Sequence, residues 1–116
     1  MTIAAIAQAT NIRTSPRKLR LVADLVRPLG VDAALLTLKN LSKRAALPLA
    51  KVLRQAQANA VNNLNLAKDK LKIKTIEINA GPIMKRGRAV SKGRSHSIKK
   101  RTSHIKIVLE GSAKGG

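Results

Sequence analysis

The sequence predicts an α+β chain with three helical segments, three strand segments and a basic arm between the last two strands. Three observations lead there. Apolar residues recur at helical spacing between residues 15 and 63. They alternate at strand spacing over residues 2–12, 72–80 and 103–109. Between the last two strands lies a stretch with almost no apolar residue and nearly half of the net charge. At 116 residues the chain has the size of a single domain.

Residues 2–12 read as a strand, with Ile3, Ala5, Ala7 and Ala9 on one parity. The segment lacks the basic start of a secretory signal, so it is expected to belong to the fold. Thr14-Ser15-Pro16 is a helix start, a hydroxyl cap followed by Pro at the first helical position. This helix is expected to reach Val26, with Leu19, Val22, Ala23 and Val26 on its apolar face. Pro28-Leu29-Gly30 stops it. Asp32 is placed to cap a short second helix through Asn40, with Leu35, Leu36 and Leu38 apolar. Ser42 is placed to cap a third, reaching Asn63, whose stripe is Ala45, Leu49, Val52, Leu53, Ala56 and Ala60. Pro48 interrupts it, because the ring crowds the carbonyl of Arg44. A kink is therefore expected, or a helix that restarts near Leu47. From Asn62 to Asp69 the chain reads as loop. Residues 72–80 form a half-buried antiparallel strand with Ile76, Ile78 and Ala80 inward. Residues 103–109 repeat the pattern with Ile105, Ile107 and Leu109, and residues 111–116 read as a frayed tail. The expected division is a body of about residues 1–80 plus 103–110 and an arm of about 81–102.

Composition narrows the function. The formal net charge is +19, and Cys, Phe, Tyr and Trp are absent. No disulfide or thiolate metal site is possible, and two histidines do not make a multi-His centre. Without aromatic rings, the stacking used by single-strand RNA sheets and oligonucleotide barrels is ruled out. No apolar run is long enough to span a bilayer. Such a charge opposes compaction by self-repulsion, and a polyanionic partner relieves it.

Residues 1–84 carry a net +10 and residues 85–109 a net +9 with no acid. Eight of the 17 residues from Lys85 to Arg101 are Lys or Arg, and only Ala89 and Val90 in residues 85–97 are clearly apolar. The arm therefore cannot build a core. A plain disordered loop would fit that composition. Nucleic acid fits it together with the whole-chain charge: phosphates would neutralise the arm and order it on binding. Elsewhere the case is weaker. Arg17, Arg20 and Arg27 with Lys18 form a basic stripe, although Asp24 is placed to pair with Arg20 or Arg27. Lys43, Arg44, Lys51 and Arg54 lean toward a solvated face. Lys68, Lys70, Lys72 and Lys74 have the spacing of lysines that guard a sheet edge. His96, His104 and the serines of the arm have no catalytic constellation around them.

Several motifs here resemble a known family. They are Gly81-Pro82 followed by Lys85-Arg86, then Lys92-Gly93-Arg94, then Lys100-Arg101-Thr102-Ser103-His104-Ile105. SPRKLRLVADLVR at 15–27, KVL at 51–53 and ANA at 58–60 precede them in the matching order. From about residue 3 to 109 the chain resembles the L-twenty-two family of large-subunit ribosomal proteins, in its bacterial and organellar form. The resemblance implies three helices packed on a small three-stranded antiparallel sheet, with two strands extended into a long basic β-hairpin. It implies a structural, non-enzymatic role in the ribosome, in the cytoplasm or an organelle. The implied partners are large-subunit ribosomal RNA, neighbouring ribosomal proteins and the nascent peptide in the exit tunnel, with no membrane and no cofactor. The RNA-binding residues expected are Arg13, Arg17, Lys18, Arg20, Lys85, Arg86, Arg88, Lys92, Arg94, Lys99, Lys100, Arg101, Thr102, Ser103 and His104. The tunnel tip would be Arg88, Ala89, Val90, Ser91 and Lys92. This sequence departs from the family where Asn79 and Ala80 replace the acids common before the Gly-Pro pair. It also has no Pro in Gly87-Arg88-Ala89-Val90-Ser91.

Other classes fit less well. A DNA-bending arm usually carries an apolar or Pro wedge, and Val90 alone could serve. A membrane-active segment needs an amphipathic helix with Trp, Phe or Leu on one face, which residues 85–104 lack. Nothing supports an enzyme.

Overall fold

The computed structural model describes residues 3–81, 84–90 and 94–112, with side chains described for 3–81 and 101–112. Ile3–Ile12 form β1. Pro16–Val26 form α1, Val31–Asn40 α2 and Ala46–Ala58 α3. Lys72–Ala80 form β2, Met84–Val90 β3, Arg94–Lys100 β4 and Ser103–Gly111 β5. This is the expected α+β fold. A three-stranded sheet has the order β1-β5-β2, and β3 and β4 form a separate two-stranded ribbon. Both sheets are antiparallel.

The last strand in sequence is central in space. Ser103, Ile105, Ile107, Leu109 and Gly111 of β5 are buried, and the residues between them are half-buried. Ala5 and Ala7 of β1 and Ile76 and Ile78 of β2 complete the inner face. The small alanines let helices approach β1 closely. Ala80 is exposed, contrary to its parity, because β2 is leaving the layer of helices there. A register shift between Ile73 and Thr75 turns Ile73 toward the core as well.

Helical spacing explains the other layer. Leu19, Val22, Ala23 and Val26 are all at most 1% exposed, as the α1 stripe requires. Ser15 caps α1, its Oγ accepting from the Lys18 N–H at 3.4 Å. The other two caps differ from expectation. Gly30 sits at the start of α2, and Asp32 lies inside its first turn, accepting from the Gln57 amide at 3.1 Å. Val31, Ala34 and Leu38 bury α2, while Leu36 is exposed. Ser42 does not cap α3. Residues 43–46 make a turn, and the helix begins at Ala46. That start resolves Pro48, which falls in the first turn, where a backbone N–H has no intrahelical partner. Leu49, Val52, Leu53, Ala56 and Ala60 of the stripe are buried as expected.

After α3 the helix widens into a π-turn over Asn59–Asn63. Leu66, expected in a loop, is fully buried and reaches back to the Ala60 carbonyl through its N–H at 2.9 Å. Gly111 is not frayed: it pairs with Ile3 and is buried against Leu71. Residues 113–116 of the expected tail lie outside the described residues.

Both sheet edges are guarded by helix side chains. Arg20 and Arg27 of α1 donate to the Ile78 and Ile76 carbonyls of β2, each at 3.0 Å. Asn59 donates to the Ile6 carbonyl of β1 at 3.2 Å. These bonds occupy acceptors that would otherwise invite another strand. Lys72 and Lys74 lie on the β2 edge, where guarding lysines are useful.

The β3–β4 register runs from Met84 opposite Lys100 to Val90 opposite Arg94. Residues 72–90 at strand rise would extend about 60 Å. The molecule is 71 Å long but 25 and 17 Å in its other dimensions. Its radius of gyration is 17.6 Å, against about 13 Å for a compact chain of this length.

Candidate nucleic-acid interface

The root of the arm is a small polar knot joining β1, β5 and the end of β2. Asn11 has φ 55°, a left-handed conformation that Asn tolerates. It sits at a register shift in β1, and its N–H donates to Nδ1 of His104 at 3.2 Å. The Ser103 hydroxyl donates to the Thr14 carbonyl at 2.6 Å. The Gly81 N–H donates to the Thr102 carbonyl at 2.9 Å. A Cβ at Gly81 would lie 2.5 Å from Thr102 Oγ1 and 3.2 Å from His104 Cε1, so only Gly fits without rearrangement.

This knot changes the reading of three expected RNA contacts. Thr102 and Ser103 are 4% and 0% exposed. Both are buried, and the Ser103 hydroxyl is used internally. His104 is half-buried and spends Nδ1 on Asn11. Strand alternation explains Ser103, which shares the inward parity of Ile105 and Ile107.

Two basic clefts flank the first turn of α1. One, of about 270 Å³, joins Arg17, Arg20 and Arg101 around Pro16, Gly81 and Thr102. All three arginines belong to the expected set, and the fold brings them together at the arm's root. The other, of about 530 Å³, is lined by Arg13, Lys18, Lys43 and Arg44, with Thr14, Ser15, Leu21 and Ala45. Arg13 and Lys18 were expected. Lys43 and Arg44 read as solvated in the sequence, and only the turn before α3 sets them opposite α1. No local motif could have signalled that meeting.

The electrostatics favour an anion. α1 has no acidic residue in its first turn and carries Arg17 and Lys18 there. A helix N-terminus prefers negative charge, so this placement costs local stability that a bound anion restores. Among the described residues the one ion pair is Arg27 with Asp24 at 3.4 Å. The seven cations of the two clefts therefore have no carboxylate partner there.

The arm's expected contacts have a backbone but no described side chains. Lys85, Arg86 and Arg88 lie on β3 with Ala89 and Val90, and Arg94, Lys99 and Lys100 lie on β4. Lys85 stands opposite Lys99 in the register. Ser91 and Lys92 of the expected tip lie outside the described residues.

Comparison with known proteins gives the family. Residues 7–110 match the family model described as ribosomal protein L22p/L17e, a span that includes most of the body, the knot and the whole arm. This chain belongs to that family. It is 53% identical over 103 residues to large ribosomal subunit protein uL22 of Mycoplasma capricolum subsp. capricolum, covering 89% of this chain and 93% of the relative. It is 46% identical over 103 residues to uL22 of Thermus thermophilus, covering 89% and 91%. With uL22 of Herpetosiphon aurantiacus the identity is 44% over 100 residues, covering 86% and 88%. The earlier resemblance is thus established as membership, and the family is structural rather than enzymatic. No helix among the described residues is long and apolar enough to cross a membrane.

Proposed function

We propose that the body docks on ribosomal RNA through the two clefts beside α1, while the hairpin threads between RNA helices. Its tip, Arg88 to Lys92, then lines the nascent-peptide exit tunnel. As a member of its family the protein is a structural constituent of the large ribosomal subunit. Its partners are large-subunit RNA and neighbouring ribosomal proteins. The observation that carries the reading is the unpaired charge: seven cleft cations with no carboxylate partner among the described residues, one of them (Arg101) at the root of an arm that has no acid.

The physical sense is direct. An isolated arm of this charge repels itself and buries little. Among phosphates, each Lys or Arg displaces condensed counterions and gains favourable free energy. Arg also forks onto phosphates and stacks on unpaired bases, a partial substitute for the missing aromatics. The protein performs no chemistry; it holds RNA segments at fixed distances and contributes a wall to the tunnel. Contact with the nascent peptide follows from the tip's position in that arrangement, and no membrane contact is involved.

The test is co-sedimentation. The protein should travel with large subunits in low salt and be released as salt rises. A photoreactive residue at Val90 should crosslink to a stalled nascent chain. Recovery only in fractions lacking large subunits would refute the docking, and crosslinks confined to RNA would refute the peptide contact.

A further inference from the structure

We propose that the cleft between α1 and the turn before α3 holds a single unstacked nucleotide of single-stranded RNA. This inference rests on the ribosomal-RNA reading and adds to it a point of base recognition. Three segments build the cleft. Arg13 comes from the β1–α1 connection, Lys18 from the first turn of α1, and Lys43 and Arg44 from the turn at the start of α3. Each segment is fixed by its own bonds. Thr14 is tied to Ser103, the Lys18 N–H is capped by Ser15, and the Lys43 and Arg44 carbonyls accept from the Ala46 and Leu47 N–H groups at 3.0 and 3.3 Å. The cations are therefore mounted on rigid backbone.

The shape says more than charge. A phosphate needs donors on a surface, but this is a concave space of about 530 Å³, within the range of small-molecule sites. It is also not wholly polar. Leu21 lies in its wall, 59% exposed, beside Ala45. Leu25, Leu36 and Leu47 are exposed as well, but Leu21 is set among the cations of this cleft. The flat apolar face of a base would cover it. Unstacked RNA bases are recognised by stacking on planar groups, and this chain has no aromatic residue. Arg13 and Arg44 supply guanidinium planes for the base, and Lys18 and Lys43 supply point charges for the flanking phosphates. A duplex keeps its bases stacked inside and could use only the charges.

The test uses the full chain and a short single-stranded oligouridine carrying thiouridine, with an RNA duplex and large-subunit RNA as references. The wild type should crosslink through the cleft peptides holding Leu21 and Arg44. Arg44→Lys keeps the charge but removes the plane. It should weaken single-strand binding by about tenfold, the scale of one lost base stack, and leave duplex binding and the salt slope unchanged. All four cations are exposed, so the variant should fold, which circular dichroism checks. Lys43→Ala should weaken both RNAs and lower the salt slope. If large-subunit RNA binds but Arg44→Lys binds the oligouridine like wild type, the nucleotide site is wrong and the docking reading stands. If wild type binds no ribosomal RNA, both fall.

Discussion

The hydroxyl of Ser103 donates to the carbonyl of Thr14 at 2.6 Å, tying the first residue of β5 to the turn that starts α1. The bond crosses the root of the arm and joins two segments far apart in sequence. Ser103 is fully buried, whereas Thr14 is half-buried at the wall of the larger cleft. Ser103→Ala should therefore cost about 1 kcal/mol, the net worth of one hydrogen bond whose acceptor stays partly hydrated. Urea unfolding measures it. A midpoint identical to wild type would mean the bond contributes nothing.

The second expectation concerns space. Gly81 has Thr102 Oγ1 and His104 Cε1 where its Cβ would stand. Thr102 is buried, so its hydroxyl cannot move aside freely. Gly81→Ala should destabilise by about 1–3 kcal/mol, the usual scale of overpacking. Thermal melting reads this out, and unchanged stability would show that Thr102 rotates at no cost.

Arg20 and Arg27 occupy the Ile78 and Ile76 carbonyls on the free edge of β2. The bonds are partly solvated, so the double variant Arg20→Ala/Arg27→Ala should lose only about 1 kcal/mol per bond. The larger effect should be self-association, because an uncovered edge pairs with other strands. Sedimentation velocity over a range of concentrations tests it. A strictly monomeric double variant would show that Lys72 and Lys74 suffice.

Deleting residues 88–92 should leave the body's cooperative melting intact, because the core lies in α1–α3 and the three-stranded sheet. It removes Arg88 and Lys92. The salt dependence of RNA binding should become shallower by about two counterions at most. Loss of cooperative melting would instead make the tip part of the folded core.

Much of this molecule was legible in the sequence. The stripe of α1 and its Ser15 cap follow from apolar spacing and a hydroxyl before Pro16. The inward rows of β2 and β5 follow from alternation. The arm follows from the absence of anything to bury. The misread caps show where local rules stop. Asp32 and Ser42 have cap chemistry, but the backbone enters those helices at Gly30 and Ala45. Packing of Val31 and Ala46 against the core sets those entries, and tertiary burial outweighs a cap's single hydrogen bond.

The sequence by itself determined the +19 charge, its split between a body that can bury a core and an arm with almost nothing apolar to bury, and the aliphatic core that makes the body possible. Only the tertiary structure decided how that charge is used. It turned Ser103 inward, spent one nitrogen of His104 on Asn11, put Arg20 and Arg27 to work on a sheet edge, and set Lys43 and Arg44 across a cleft from Arg13 and Lys18. The reason is range. Periodicity and propensity act over one turn or one strand, whereas a cleft is made by segments that meet only after the core between them has closed.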